Sequence, residues 1–158
     1  MDADVDTTAP TRLTSAPSWQ LNLAAGFASR LVTEGLAAVG ARGYHYRVLA
    51  TLSEYGAMSQ ATLGRRSSIY VSDMVATINE LAEGAYVMRS PDPDDRRRNV
   101  ITITDAGERR LRWLDRQIEQ IQLELLAPLD ADERAELMRL LGRLVDYHKQ
   151  GRPNVSPA

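Results

Sequence analysis

The sequence predicts a mainly helical fold with one small β-hairpin, which is an α+β class. Apolar residues recur at helical spacing over most of the chain, and the pattern changes to strand-like alternation only between about residues 86 and 104. With 158 residues, one domain with its own core is the expectation. That core must be built from Leu, Val, Ile and Ala, because the chain has one Phe and two Trp.

The two ends of the chain differ in composition from the domain between them. Residues 1–17 are acidic and rich in Thr, Ala and Pro, so we expect a disordered tail there. They lack the basic start and apolar run that are typical of a secretion signal. Residues 151–158 are predicted to form a second disordered tail, which leaves residues 18–150 as the domain.

The domain is predicted to begin with two helices. Near-helical apolar spacing from Trp19 to about Val39 predicts a long first helix that ends before Gly40. A second helix is expected over residues 44–55, with Gly56 just past its end.

Two shorter helices with a brief turn between them follow. Ser59 is a good N-cap for a helix that runs to about Arg66. The next helix ends near Gly84, and the residues expected on its buried face are Val71, Met74, Val75, Ile78 and Leu81. Its N-cap is left open among Ser67, Ser68 and Ser72. Two helices joined in this way form a helix-turn-helix unit.

A β-hairpin is expected after this unit. Tyr86–Arg89 and Val100–Thr104 are rich in residues that favour strands. Between them, residues 90–98 contain prolines and aspartates that turn the chain, followed by three consecutive arginines. In a winged helix-turn-helix fold this hairpin is the wing.

Two long helices complete the domain. Thr104 or Asp105 begins the first, which carries an apolar seam at spacings of 3, 4, 3 and 4, namely Leu111, Leu114, Ile118, Ile121 and Leu125. Pro128 ends this helix, and a capping-box-like pair begins the next one. The predicted buried face of the last helix is Leu137, Leu140, Leu141, Leu144 and Val145. The alternative is open that these stripes pack only within one subunit rather than between two.

Composition excludes several classes of site. The chain has no Cys and only two His, so disulfides and thiolate metal sites are excluded, and no cluster of metal ligands is visible. No catalytic motif is present, so we expect neither an enzyme nor a cofactor. No run of about 20 apolar residues occurs, and a cytoplasmic location is the expectation. The net charge of −2 does not by itself indicate a nucleic-acid binder.

The order of these elements, and three stretches of sequence, resemble the MarR family. Tyr46–Leu52 is similar to its second helix, Met58–Leu63 to the start of its helix-turn-helix, and Pro91–Gly107 to its wing. The wing match includes an Asp-x-Arg element and a Thr-x-x-Gly exit. The resemblance extends from about Trp19 to Tyr147. It implies a winged helix-turn-helix over about 44–104, flanked by dimerisation helices at about 18–40 and 105–149.

Three residues depart from the family pattern. Many relatives carry a small polar cap at the position of Tyr70, a basic residue at that of Ala76 and a glycine at that of Ala85. We expect Gly84 to serve the turn into the hairpin in place of the missing glycine.

The resemblance implies a homodimeric, sequence-specific transcriptional regulator that binds double-stranded DNA at a palindromic operator, with repression as the expectation. The residues predicted to contact DNA are Ser59, Gln60, Ser68, Tyr70, Ser72, Asp73, Thr77, Arg89, Asp95, Arg96, Arg97 and Arg98. Arg97 is expected to enter the minor groove, with Asp95 orienting it. Ser59 has pure capping as an alternative role, and Asp73 has an ion pair within the protein.

Family members often respond to small aromatic or phenolic compounds. The residues proposed to bind such an effector are Trp19, Phe27, Tyr44, His45, Tyr46 and Arg47, with core and interface roles as the alternative. A winged-helix module that only associates with other proteins is the alternative to the whole functional prediction.

Overall fold

The computed structural model describes residues 10–95 and 98–150, and within them the predicted fold class is confirmed. The chain divides into two compact units, residues 1–121 and 122–158. The elements run in the order α1 Thr11–Thr14, α2 Pro17–Ala37, α3 Gly43–Tyr55, β1 Met58–Ser59, α4 Gln60–Ser67, α5 Val71–Glu83, β2 Val87–Pro91, β3 Asn99–Ile103, α6 Asp105–Leu125 and α7 Ala131–Lys149.

Helical structure begins earlier than the expected tail allows. Thr11–Thr14 form a single helical turn, and α2 begins at Pro17. Proline suits the first helical position because its φ is already fixed and its missing N–H would be unpaired there in any case. Residues 1–9 of the predicted N-terminal tail, and all of 151–158, lie outside the described residues.

The helix-turn-helix is formed by α4 and α5. The predicted cap of α4 is confirmed, since Ser59 Oγ accepts a hydrogen bond from the Thr62 N–H. The serine caps expected for α5 are wrong. Tyr70 occupies the N-cap position without a side-chain hydrogen bond, while Ser68 ends α4 in the left-handed conformation at φ 52°. The Ser67 hydroxyl instead donates to the Leu63 carbonyl within α4.

The hairpin belongs to a three-stranded antiparallel sheet of order β1-β3-β2. Strand β1 was not predicted. It has only two residues, with Met58 opposite Ile101, and a strand this short shows no alternation in the sequence. The β2–β3 pair places Val87 opposite Ile103 and Pro91 opposite Asn99. The wing is therefore tied to the start of the helix-turn-helix through β1.

The turn between α5 and β2 differs from the prediction. Gly84 has an ordinary φ of −76°, and it is Ala85 that adopts the left-handed conformation, at φ 56°. The Ala85 carbonyl accepts a hydrogen bond from Thr104 Oγ1, and the Thr104 N–H donates to the Tyr86 carbonyl. These bonds across the sheet hold the turn that a glycine would otherwise form.

The core of the first unit gathers side chains from its helices and from the sheet. Its fully buried members include Leu36, Leu49, Leu52, Leu63, Met74, Ile78, Ile101 and Leu114. The apolar seam of α6 belongs to this core for much of its length, because Leu111 and Leu114 join the cluster and Ile118 packs against it. This part of the seam follows the alternative of packing within one chain.

The last helix behaves differently from the prediction. Leu140, Leu144 and Val145, three of the five residues expected to be buried, are exposed, whereas Leu137 and Leu141 are half-buried. Asp130 and Glu133 form the predicted capping box at its start. None of the helices in residues 10–95 and 98–150 combines the length and apolar character needed to cross a membrane.

Candidate nucleic-acid interface

Helix α5 presents one face to solvent, and we call Val71, Ser72, Val75, Ala76 and Asn79 the reading face. All five are exposed, and Val71 is 77% exposed. The prediction that Val71 and Val75 are buried is therefore wrong. Residues three and four positions apart share a side of a helix, and such spacings link all five residues into a continuous surface.

Thr77, one of the predicted DNA contacts, lies on the opposite side of α5. It is 4% exposed, and its hydroxyl donates to the Asp73 carbonyl in the preceding turn. The spacing of Met74, Ile78 and Leu81 turns position 77 toward the core. Thr77 is removed from the candidate interface, whereas the predicted contacts Tyr70 and Ser72 are exposed. Asp73 is half-buried in the first turn, where a carboxylate stabilises the positive end of the helix dipole.

The start of α4 lies next to the reading face. A groove of about 480 Å³ runs between α4 and α5 and is lined by Gln60, Arg65, Tyr70 and Val71 among others. Ser59 contributes its hydroxyl to the cap, which agrees with the alternative role given to it. Arg65 was not predicted as a site residue. Its Nη2 donates to Thr62 Oγ1 one turn earlier, which places an exposed cation at the edge of the groove.

The turn between the two helices is held from behind by α3. Arg47 Nη2 donates to the carbonyl of Ser68 at 3.0 Å. Ser68 is exposed, as its predicted role requires. Arg66, at the end of α4, lies 4.4 Å from the centre of the Tyr55 ring and is the second exposed arginine of this region that the prediction missed. The helical period of α4, in which Leu63 and Ser67 are buried, predicts that both arginines are exposed.

The hairpin carries further arginines, and one of them contacts α5. Arg89 Nη2 donates to Asn79 Oδ1 at 2.5 Å, which fixes β2 against the reading face. Arg98 is exposed and forms an ion pair with Asp95 at 3.4 Å, so Asp95 orients Arg98. Arg96 and Arg97 lie outside the described residues. The predicted pairing of Asp95 with Arg97 therefore stays a prediction.

The six proposed effector residues face different parts of the structure. Phe27 is exposed on α2, with Arg30 over its ring, whereas Tyr44 packs against the core. Tyr46 donates its hydroxyl to Asp115, and burial together with this carboxylate raises the pKa of Tyr46 above its ordinary value.

The indole of Trp19 has a different environment, because its Nε1 is buried and is without a hydrogen-bond partner among the described residues. Among the neighbours Tyr44 to Arg47, His45 contacts Glu80 on α5, Tyr46 contacts Asp115 on α6, and Arg47 contacts Ser68 in the turn after α4. Two of the six residues meet directly, since the Arg47 guanidinium lies 5.7 Å from the centre of the Tyr44 ring.

His45 is the most constrained member of that group. Its Nδ1 accepts a hydrogen bond from the Arg42 N–H at 3.2 Å, and its Nε2 lies 2.6 Å from Glu80 Oε2. Arg42 also pairs with Glu80. Burial, and after it the positive charges of Arg42 and Arg110, lower the pKa of His45 below its ordinary value. The neutral ring with a proton on Nε2 satisfies both contacts.

A small cavity lies beside this histidine. Its volume is about 120 Å³, and its polar lining comes from His45, Glu80, Tyr86 and Arg110. The Arg110 guanidinium lies over the rings of Tyr86 and Trp113, at 5.8 and 4.6 Å from their centres. No group of metal-binding side chains occurs in the described part of the chain.

The chain is similar to known transcriptional regulators in its sequence. The MarR family model matches residues 44–98, which contain the helix-turn-helix and most of the wing. The transcriptional repressor NicR of Pseudomonas putida is 29% identical over 98 residues, 62% of this chain and 62% of NicR. The chain spans less than two thirds of the length of the curated relatives it matches first.

Two solved structures share the fold over nearly their whole length. The PcaV regulator of Streptomyces coelicolor, solved in complex with its natural ligand, gives a TM-score of 0.70 at 26% identity, covering 88% of this chain and 98% of PcaV. BpsR of Bordetella bronchiseptica, whose DNA binding is regulated by 6-hydroxynicotinic acid, gives 0.75 at 22% identity, covering 87% of this chain and 99% of BpsR. The helix-turn-helix, the wing and these matches together make the chain similar to the MarR family of winged helix-turn-helix transcriptional regulators.

Proposed function

We propose that this protein binds double-stranded DNA in a sequence-specific manner and regulates transcription as a homodimeric repressor. The observation that carries the proposal is the exposed face of α5, which stands between the arginine of the α4 groove and the arginine-bearing hairpin. In this arrangement α5 enters a major groove while the wing reaches the adjacent minor groove. The name of the similar repressor NicR supports repression.

We infer a two-fold dimer because one helix-turn-helix contacts only a short stretch of DNA. One helix-turn-helix covers a single half-site, and two copies related by symmetry read a palindrome whose half-sites lie about 34 Å apart. The exposed apolar residues of α7 support this part of the proposal. An asymmetric or single half-site operator would contradict it.

We extend the proposal to a small aromatic effector that releases the protein from DNA. The regulation of BpsR by 6-hydroxynicotinic acid supports this extension. We place the effector's site in the cavity beside His45 and Arg110, which one of the six residues predicted from the sequence, His45, already lines. A cavity of about 150 Å³ accommodates benzene, so a substituted ring that binds in this cavity of about 120 Å³ must widen it.

The test begins with selection of bound duplexes from a random pool, followed by affinity measurements over a range of salt concentrations. Affinity for the selected duplex should fall steeply with salt. Arg98→Ala should lower affinity for all duplexes and reduce the slope of log affinity against log salt by about 1. Arg139→Ala is the matched control, since Arg139 is also exposed and also pairs with an acidic residue three positions away.

Two outcomes would contradict the proposal. A protein that binds no duplex at low salt would favour the alternative of a protein-association module. The second outcome concerns the effector alone. If 6-hydroxynicotinate at millimolar concentration neither dissociates the DNA complex nor stabilises the protein against heating, the effector proposal fails while DNA binding stands.

A further inference from the structure

The reading face of α5 is unusual in its chemistry for a surface proposed to contact DNA. Three of its five residues, Val71, Val75 and Ala76, have side chains without a hydrogen-bond donor or acceptor. The Oδ1 of Asn79 accepts from Arg89, so this oxygen is engaged while the Nδ2 donors face outward on the exposed residue. The Ser72 hydroxyl and the Nδ2 group of Asn79 are therefore the polar groups that the face can offer, and Val71, Val75 and Ala76 lie between and beside them.

Arginines flank this face at both ends. Arg65 lines the same groove as Tyr70 and Val71 at the start of α5, and Arg89 contacts Asn79 two turns further on. Val71 and Asn79 are eight residues apart, about 12 Å along the helix. The surface thus has an apolar centre between two cations. This charge pattern fits a groove floor between two phosphate backbones.

The major groove offers one apolar group, the C5-methyl of thymine. The nitrogen and oxygen groups on the base edges there are donors or acceptors, and covering one of them with a valine leaves it unpaired at a cost. We infer that Val71 and Val75 read thymine methyl groups, and that these contacts, rather than arginine–guanine pairs, set the base preference under α5. The inference rests on the proposed function and specifies how it discriminates between bases.

Replacing thymine by uracil removes only the C5-methyl group, so a uracil duplex tests the methyl contact without changing any hydrogen-bonding group of the base. Each thymine of the selected duplex is replaced in turn, and affinity is measured by fluorescence anisotropy. Since a buried methyl is worth about 0.8 kcal/mol, wild-type protein should lose about fourfold in affinity at one or two positions of each half-site. Val71→Ala and Val75→Ala should each weaken binding to the thymine duplex and abolish the loss at one of these positions.

Met88→Ala is the control, because Met88 is an exposed apolar residue on β2 rather than on α5. This variant should keep the full sensitivity to uracil. If wild-type protein binds every uracil duplex as tightly as the thymine duplex, the inference is overturned while DNA binding stands. Unchanged sensitivity in both valine variants would overturn it equally. If no duplex binds at all, the proposed function fails first and the inference falls with it.

Discussion

At the residue scale, His45 shows how one side chain joins three elements. It lies in the first turn of α3, its Nδ1 accepts from the backbone of Arg42, and its Nε2 faces Glu80 on α5. Arg110 of α6 lines the same cavity, as does Tyr86. Protonation of Nδ1 would replace the acceptor by a donor that points at the Arg42 N–H. The cap of α3 therefore requires the neutral imidazole.

This geometry predicts a dependence of stability on pH. The pKa of His45 is lower in the folded chain than its ordinary value of 6.5, so the unfolded chain takes up the proton first as the pH falls. The stabilisation is fully present above about pH 6.5 and is lost as the pH falls through the folded pKa. Urea unfolding at pH 7.5, 6.5 and 5.5 should give a decreasing free energy of unfolding.

His45→Asn provides the comparison, because its amide oxygen also accepts a hydrogen bond but does not titrate. The pH-dependent fall should be smaller in this variant, whereas His148→Asn, at an exposed position of α7, should keep it. Equal falls in His45→Asn and wild-type protein would contradict the assignment.

Residue roles were predictable where the helical period fixes them. The period of Met74, Ile78 and Leu81 places Thr77 inside the helix packing, whereas its polarity alone favours the predicted DNA contact. The exposure of Val71 shows the reverse case. Hydrophobicity alone predicts burial, and only packing shows that the side of α5 that carries Val71 faces away from the core, while Met74 in the same turn is buried.

At the element scale, the start of α6 is built around the Thr-x-x-Gly exit of the wing. Thr104 Oγ1 donates to the Ala85 carbonyl and accepts from the Gly107 N–H. A Cβ on Gly107 would lie 2.1 Å from the Tyr86 carbonyl oxygen, and backbone cannot move aside as a side chain can. The glycine is therefore required by close approach, since a methyl group cannot fit between α6 and the entry to β2.

Gly107→Ala should accordingly lower the free energy of unfolding by about 2–3 kcal/mol through overpacking. Gly142→Ala is the matched control. Gly142 lies within α7, where a new Cβ meets nothing within 4 Å, so alanine should raise stability by up to about 1 kcal/mol. Both are measured by urea unfolding at one protein concentration. A Gly107→Ala protein as stable as wild type would contradict this account.

Most elements could be predicted from local signals. The helix caps at Ser59 and Asp130 can be predicted from the sequence, because a capping side chain accepts a hydrogen bond from a backbone N–H two or three residues away. Strand β1 and the left-handed Ala85 could not be predicted. Each depends on a partner distant in sequence, Ile101 for the strand and Thr104 for the turn.

At the scale of the whole molecule, the apolar residues divide between a core and an uncovered surface. Those of the first unit form one cluster, to which the first half of α6 contributes. In α7 no residue is fully buried, and Met138, Leu144 and Tyr147 are each about half exposed or more. A second copy of the chain is the partner that the proposed function requires, and this helix is available to meet it.

Leu144→Asp should therefore weaken dimerisation by about 2–3 kcal/mol, because an unpaired carboxylate would be buried in the interface. Sedimentation at several concentrations measures the dissociation constant. Operator affinity should fall in parallel. Met88→Asp, which places the same charge on the exposed strand β2, should leave the dimer intact. A wild-type protein that sediments as a monomer, or a Leu144→Asp variant with unchanged association, would refute this interface.

The sequence by itself determined the fold class, the order of the elements, the family resemblance and the arginine-bearing hairpin, because periodicity, caps and turn residues act over a few neighbouring positions. Only the tertiary structure decided which polar and apolar side chains of α5 face outward, which part of the α6 seam belongs to the core, and that His45, Tyr46 and Arg47 contact different parts of the structure. The physical reason is that the exposure of a residue depends on what packs against it. In this chain the placement of the other helices and strands buries Thr77 and leaves Val71 exposed.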